Sequence, residues 1–99
     1  MSRVRWTPKS KLDLADIKNH IQKDSKQNAI RFVKRIREAV HGTKIFPEAA
    51  TRVFELEGVE LREIYVGAYR VIFRIIDKEL VVYRVIHGSR LIDRRLIQL

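Results

Sequence analysis

The sequence predicts an α+β fold in which a helical hairpin packs on one face of a small antiparallel sheet, in the order β-α-α-β-β-β. Two amphipathic segments follow one another near the N-terminus with only a short break between them. Three runs rich in Val, Ile, Tyr and Phe come next, joined by short turns. Helices that are separated along the chain from antiparallel strands are typical of the α+β class.

The N-terminal elements are predicted from local signals. Residues 3–6 alternate apolar and charged side chains, which indicates a short strand. Thr7 followed by Pro8 is typical of a helix start, with Thr as the N-cap and Pro in the first helical position. This helix extends to about Lys23, and Asp24-Ser25 break it.

The second helix runs from about Lys26 to about Val40, with Gly42 as its expected C-cap. Its outer side carries four cations, Arg31, Lys34, Arg35 and Arg37. Most stripes of this kind are solvated helix faces. A nucleic-acid contact is the alternative, although this side lacks the aromatic residues on which bases stack.

The second half of the chain predicts the sheet. An irregular stretch covers residues 46–60, and three strands follow at 61–66, 69–76 and 80–86. The tail, residues 89–99, is expected to form either a short amphipathic helix or an extended arm. With no repeats or linkers, residues 1–99 are expected to form a single domain.

The composition points to an anionic partner. The chain has 21 Lys and Arg residues against 12 Asp and Glu, a formal charge of +9. Such a surplus indicates a nucleic acid, a ribosome or an acidic protein, and an incidentally basic surface is the alternative. The absence of Cys excludes disulfides and a Cys nucleophile. We expect a cytoplasmic protein without a signal peptide or membrane segment.

Cofactor and metal chemistry is not expected. The 3 His residues lie far apart and lack the spacing of zinc ligands. The chain also lacks a Gly-rich phosphate loop and a nucleophile elbow. The sequence therefore predicts neither a metal site nor a cofactor.

The middle strand places two guanidinium groups on one face of the sheet. Arg70, Ile72, Arg74 and Ile76 share this face. The residues between them form the natural core face, which the helical hairpin is expected to cover. The face with the two Arg residues is therefore expected to stay open.

The register of the last hairpin decides which residues Arg70 can join. A two-residue turn at Asp77-Lys78 places Arg70 opposite Val85, and His87 then points to the same side as Arg70. A three-residue turn shifts the register by one and sends His87 to the other side. The sequence leaves both possibilities open.

The functional interpretation of Arg70, His87 and Arg90 is an anion site at one end of the sheet. Arg binds phosphate well, and His acts as an acid, a base or a hydrogen-bond donor near neutral pH. In the structural interpretation His87 caps a strand end, and Arg74 and Arg84 are solvated.

Several segments resemble the RelE/ParE superfamily of type II toxins. They are Leu61–Ile64 (LREI), residues 67–74 (GAYRVIFR) and residues 84–90 (RVIHGSR), together with residues 12–17 (LDLADI). Their order and spacing cover nearly the whole chain. The resemblance implies the order β-α-α-β-β-β, and the segments YRVIFRI and VIHGSR are more similar to the ParE-like branch. Leu96 occupies the region of the catalytic tail Tyr of RelE-like enzymes and cannot do acid–base work.

The ParE-like resemblance implies a toxin that inhibits DNA gyrase and is neutralised in a hetero-oligomer by a small acidic antitoxin. The alternative is a RelE-like ribosome-dependent mRNA endoribonuclease, in which Arg70, His87 and Arg90 are the catalytic residues. A third possibility, from another class, is a non-toxic homologue that only binds an antitoxin.

The resemblance and the charge pattern define two expected surfaces. The residues expected to bind the target or nucleic acid are Arg62, Arg70, Arg74, Arg84, Arg90, Arg94 and Arg95. The apolar residues expected to bind the antitoxin are Ile72, Ile76, Leu91, Ile92 and Leu96. The alternative for the apolar set is that it closes the core of a lone monomer.

Overall fold

The computed structural model describes residues 3–97 as one five-stranded sheet that carries two helices. The elements are β1 (Arg3–Trp6), α1 (Pro8–Gln22), α2 (Lys26–Thr43), a 3₁₀ turn (Pro47–Ala49), β2 (Thr51–Arg52), β3 (Arg62–Val66), β4 (Tyr69–Ile76) and β5 (Glu79–His87). Neither helix in this part of the chain is long and apolar enough to cross a membrane.

The predicted fold class and order are confirmed, with two additions. The sheet has the order β1-β5-β4-β3-β2, and β1 pairs with β5 in parallel, so the sheet is mixed. Short turns predict antiparallel pairing only between strands that follow one another along the chain. The partner of β1 is β5, which is distant in sequence, so no turn signal predicts its direction. The second addition is β2, a two-residue strand that pairs antiparallel with β3.

Both helices begin where the sequence predicts. The Thr7 side chain accepts a hydrogen bond from the Ser10 N–H at 3.2 Å, and Ser25 accepts one from the Asn28 N–H at 3.2 Å. These contacts satisfy backbone donors that have no partner within the helix. The short join between the helices makes them an antiparallel hairpin.

The expected end of the second helix is wrong. Helix α2 continues to Thr43, and Lys44 is its C-cap in a right-handed conformation. Gly42 therefore lies inside the helix. The last turn needs no left-handed glycine, because the Lys44 N–H bonds to the carbonyl groups of Gly42 and Val40.

The main core lies between the helical hairpin and the sheet. It contains the inward residues of both helices and of the three long strands, namely Leu14, Ile17, Ile36, Val40, Val66, Val71, Phe73, Leu80, Val82 and Val85. The helical residues recur at three- and four-residue spacing, and Val71 and Phe73 alternate along β4 as the pattern predicts.

The expectation of an open second face is wrong. Loop and tail residues cover this face and form a second core with the sheet, consisting of Val53, Leu56, Leu61, Ile72, Ile86, Ile92 and Ile97. Because Ile72 and Ile86 would otherwise expose apolar surface, burial under the chain's own segments is favourable. The tail is an irregular arm with one turn, closed by the Leu96 N–H on the Asp93 carbonyl at 3.1 Å. Residues 98 and 99 of the predicted tail lie outside the described residues.

A β-bulge decides the register of the last hairpin. The turn has two residues, Asp77 and Lys78, both with positive φ (48° and 65°). Phe73 of β4 pairs with Val82 of β5, but the preceding Ile72 pairs with Arg84, so β5 contains one extra residue, Tyr83, at this point.

The extra residue overturns the register expected for a two-residue turn. Arg70 lies opposite Ile86 instead of Val85, and Tyr69 lies opposite His87. His87 therefore points to the side of Tyr69, and of the two possibilities that the sequence left open the structure has the one in which Arg70 and His87 lie on opposite faces. The bulge produces the shift that the sequence assigned to a longer turn.

Two glycines should respond to alanine in opposite directions. Gly67 has φ +57°, and an added Cβ would lie 3.1 Å from Cε1 of Phe32, so Gly67→Ala should lower the free energy of unfolding by about 1–2 kcal/mol. Gly42 has open space around it, so Gly42→Ala should raise this free energy by about 0.5–1 kcal/mol. Urea unfolding measures both, and equal changes of one sign would contradict the assigned backbone geometry.

Candidate functional site

The structure divides the three predicted catalytic residues between two places. His87 and Arg90 line an open pocket of about 300 Å³ between α1 and the end of β5. His20 and Tyr69 line the same pocket, and the Tyr69 and His87 rings meet edge to face with centroids 5.6 Å apart. Arg70 lies on the other face of the sheet, under the tail.

Arg70 is a buried internal ion-pair residue and not an open phosphate ligand. Its side chain is only 2% exposed. Nε donates to Glu63 at 2.7 Å, and Nη1 and Nη2 donate to the two carboxylate oxygens of Glu55 at 2.7 and 2.9 Å. Nη2 also contacts Glu63, and Nη1 reaches the Arg90 carbonyl at 3.4 Å. These contacts occupy all of the donors that a guanidinium offers.

Glu55 and Arg70 stabilise each other's charged forms. The hydrogen bond from Arg70 is the main reason that the pKa of Glu55 lies below its ordinary value. The hydrogen bond to Glu55 likewise raises the pKa of Arg70 above its ordinary range. Burial opposes both charges, but the pairing outweighs it. We call Arg70, Glu55 and Glu63 the buried triad.

The buried triad also holds the tail in place. Glu55 Oε2 accepts the Ile92 N–H at 3.3 Å, so one carboxylate joins the irregular loop, β4 and the tail. Buried charges need such complete pairing, because an unsatisfied ion in a low dielectric is costly.

Arg84 is a second structural arginine. It makes a two-pronged contact with Asp13 of α1, with distances of 2.8 and 3.0 Å, and donates to the Leu96 carbonyl at 2.9 Å. Asp13 also accepts the Val85 N–H at 2.8 Å, next to the bulge. The hydrogen bond to Asp13 raises the pKa of Arg84. The alternative in which Arg84 is solvated is wrong, because its side chain is only 13% exposed and pairs with Asp13 of α1.

The other predicted target-binding arginines differ in their availability. Arg62 donates to the backbone carbonyl of Ala50 at 2.7 Å, and Arg74 is half-buried. Arg90, Arg94 and Arg95 are exposed in the tail. Within residues 3–97, Arg95 pairs with Asp93 at 3.1 Å, while Arg90 and Arg94 make no ion pair.

The apolar residues expected to bind the antitoxin are also divided. Ile72 and Ile92 are 0% and 4% exposed and belong to the second core, so their expected exposure is wrong. Leu91 is 75% exposed, and Ile76 and Leu96 are half-buried. For Ile72 and Ile92 the alternative, closure of the chain's own core, is what the structure has.

Sequence reasoning missed the acidic partners Asp13, Glu55 and Glu63. Only Glu63 left a usable signal. The predicted turn at residues 67–68 pairs Tyr65 with Arg70, which makes Glu63 and Arg70 diagonal neighbours on one face. Asp13 and Glu55 are distant in sequence from the arginines they bind. Among residues 3–97, no group of three or more His, Asp or Glu side chains is arranged to hold a metal ion.

Comparison with protein families agrees with this architecture. The model of the ParE toxin of type II toxin–antitoxin system, parDE, matches residues 4–92. The chain belongs to the ParE toxin family. As a member of this family it is the toxin component of a type II toxin–antitoxin system. No curated protein sequence matches the chain.

Solved structures show the same fold as this ParE-family chain. The chromosomal ParDE toxin–antitoxin system from P. aeruginosa matches with a TM-score of 0.74 and 24% identity, over 88% of this chain and 96% of that one. The YoeB/ParE toxin from Agrobacterium tumefaciens matches with 0.59 and 16%, over 86% and 96%. The toxin–antitoxin complex RelBE2 from Mycobacterium tuberculosis matches with 0.57 and 22%, over 87% and 96%.

Removing the cation of the buried triad should destabilise this ParE-family chain strongly. Arg70→Ala leaves two buried carboxylates without their partner, and we expect a loss of about 3–5 kcal/mol in the free energy of unfolding. Arg94→Ala removes the same charge from an exposed site and should change this free energy by less than about 0.5 kcal/mol. Urea unfolding of both variants checks this, and equal stabilities would contradict a structural role for Arg70.

The buried triad should also make stability depend on acid pH. Because the pKa of Glu55 in the folded chain is below the ordinary value of 4.5, its contribution is complete above about pH 4.5. That contribution is lost as the pH falls through the lower, folded-state pKa. Glu55→Gln should therefore flatten the dependence of the urea midpoint on pH between pH 5 and 3, and a variant as steep as the wild type would contradict the assignment.

Proposed function

We propose that this toxin inhibits DNA gyrase in the cytoplasm and is neutralised by a small acidic antitoxin. Its membership of the ParE toxin family supports a gyrase target. The structural observation that supports gyrase over mRNA as the target is the separation of Arg70 from His87. RNA cleavage by these residues needs a phosphate-binding cation and an acid–base group at one reacting centre. Here the cation, Arg70, is paired within the buried triad, and the acid–base group, His87, lies on the opposite face of the sheet.

The exposed end of the tail is the proposed gyrase contact. Arg90 and Arg94 have no ionic partner within residues 3–97, and Leu91 beside them is 75% exposed. Arginine is one of the few residue types that dominate the energy of protein interfaces. Arg95 adds charge at the rim.

The antitoxin is proposed to cover the residues of the predicted apolar set that keep accessible surface, which are the exposed Leu91 and the half-buried Ile76 and Leu96. A formal charge of +9 favours an acidic partner, which would associate quickly by electrostatic steering. Ile72 and Ile92 would take part only in a complex in which the tail leaves the second core. The resulting hetero-oligomer is expected to bury roughly 2,000 Å² or more, as obligate pairs do.

A ribosome-dependent endoribonuclease is the second candidate, favoured by one observation. His20 and His87 line the same open pocket as Arg90, so two imidazoles and a free guanidinium surround one cavity. A histidine pair can act as acid and base at neutral pH. His87 is exposed, and its Nδ1 lies 2.7 Å from Ser89 Oγ.

Growth and supercoiling assays of matched variants separate the two candidates. Expression of the chain alone should arrest growth, and the purified chain should inhibit supercoiling by gyrase. His87→Ala should keep both effects, because the gyrase proposal gives this side chain no role. The paired variant Arg90→Ala/Arg94→Ala should weaken both effects about tenfold or more, since it removes two exposed cations from the proposed contact.

The opposite pattern would overturn the gyrase proposal. Loss of toxicity in His87→Ala, together with new 5′ ends on translated mRNA in primer extension, would identify the endoribonuclease. Normal growth under strong expression, together with tight binding to an antitoxin, would identify the third possibility, a non-toxic antitoxin-binding homologue. Co-expression with the antitoxin should abolish the growth arrest.

A further inference from the structure

The outer face of α2 is a concentrated positive surface that the proposed function does not use. Four exposed cations define it, Arg31, Lys34, Arg35 and Arg37. Helix α2 contains one acidic residue, Glu38, and within residues 3–97 none of the four cations makes an ion pair. We propose that this face, the α2 basic face, binds the phosphate backbone of duplex DNA.

The distribution of charge over the chain singles out this face. Five of the 12 acidic residues lie between positions 48 and 63, outside the helical hairpin. Two arginines of the sheet are neutralised, Arg70 by Glu55 and Arg84 by Asp13, whereas Arg90 and Arg94 are unpaired cations of the tail within residues 3–97. Along α2, four exposed cations therefore face a single carboxylate, that of Glu38, which favours a positive potential on this face.

The charge spacing on α2 suits a nucleic-acid duplex. From Arg31 to Arg37 the helix rises about 9 Å, at about 1.5 Å per residue. Four cations over this length give about one charge per 2–3 Å. Duplex DNA carries one negative charge per about 1.7 Å of its axis, so the two densities are comparable. A single phosphate or a small anion would leave most of these cations without a partner.

The chemistry of the face argues against the other polyanionic partners. A protein interface usually has an apolar centre. The exposed apolar residue beside the basic row is Ile30, at 49% exposure. A single strand needs aromatic side chains for base stacking. Phe32 is half-buried, and its ring lies below Arg35, whose Cζ is 5.9 Å from the ring centroid.

The shape of the face favours DNA over duplex RNA. An exposed helix fits the major groove of B-form DNA, which is about 12 Å wide, and its cations then reach the phosphates on the groove walls. The major groove of A-form RNA is too deep and narrow for side chains to enter. The outer side of α2 is free for this approach, because its buried residues, Ala29, Ile36 and Val40, lie on the opposite side.

The test is a salt titration of DNA binding by the purified full chain. The probe is a fluorescein-labelled duplex of about 30 base pairs, followed by anisotropy between about 50 and 300 mM KCl. Each phosphate neutralised contributes a slope of about −0.9 to log K against log salt, so four contacts give about −3.6. The double variant Lys34→Gln/Arg37→Gln should reduce this slope to about −1.8 and weaken binding about tenfold to a hundredfold at 100 mM.

The matched control removes two cations from the edge strand of the sheet and none from α2. Arg3 and Arg5 lie on the edge strand β1, are exposed and pair with Glu79. Arg3→Gln/Arg5→Gln changes the net charge as much as the α2 variant but should keep the wild-type slope. All four positions are exposed, so both variants should melt like the wild type, which circular dichroism verifies.

Four results would overturn the proposal. If both double variants lost the same amount of DNA affinity, binding would depend on net charge alone and not on α2. An unchanged slope in Lys34→Gln/Arg37→Gln would remove α2 from the contact. Tighter binding to a single strand or to duplex RNA of the same length would assign another nucleic acid, and stronger competition by poly-glutamate than by unlabelled duplex would assign an acidic protein. Gyrase inhibition is measured separately, so either proposal can fail alone.

Discussion

The buried guanidinium of Arg70 is the constraint on which the second face of the sheet depends. It binds Glu63 on the neighbouring strand, Glu55 in the irregular loop and the backbone of the tail at Arg90. Two segments without regular structure are thereby held against the sheet, and their apolar residues complete a second core. A buried ion pair contributes little net stability compared with apolar packing, but it specifies one arrangement among many, because any other leaves a charge unpaired. This specification is our hypothesis for the role of the triad.

The helical hairpin and the strands followed from the sequence because their signals are local. Thr7 and Ser25 cap the helices through contacts with the N–H group three residues later, Pro8 begins α1, and the Val- and Ile-rich runs end at short turns. The register of β5 did not follow. Apolar residues at 80–82 and again at 85–86 leave no alternation that would reveal an extra residue, because both faces of this strand are buried.

The candidate site was predicted less well than the fold, for a physical reason. Arg70 lies on one face of the sheet and His87 and Arg90 line a pocket beside α1, and the partners of each side chain determine whether it can bind a ligand. Glu55 and Asp13 capture Arg70 and Arg84 from 15 and 71 residues away. No periodicity encodes such contacts, which arise only when loops and helices pack. Charge pattern alone therefore overstates how many guanidinium groups are free to meet a partner.

The parallel pairing of β1 with β5 has a consequence for how the chain is made. Arg3 lies beside Glu79, so β1 has no neighbour in the sheet until β5, the last of the five strands along the chain, has been made. Contacts this distant in sequence slow folding, because loop closure precedes any gain from pairing. The tail that seals the second core emerges later still. A nascent chain that stops short of β5 thus has neither a complete sheet nor a covered second core, so the fold forms only after β5 and the tail have been made.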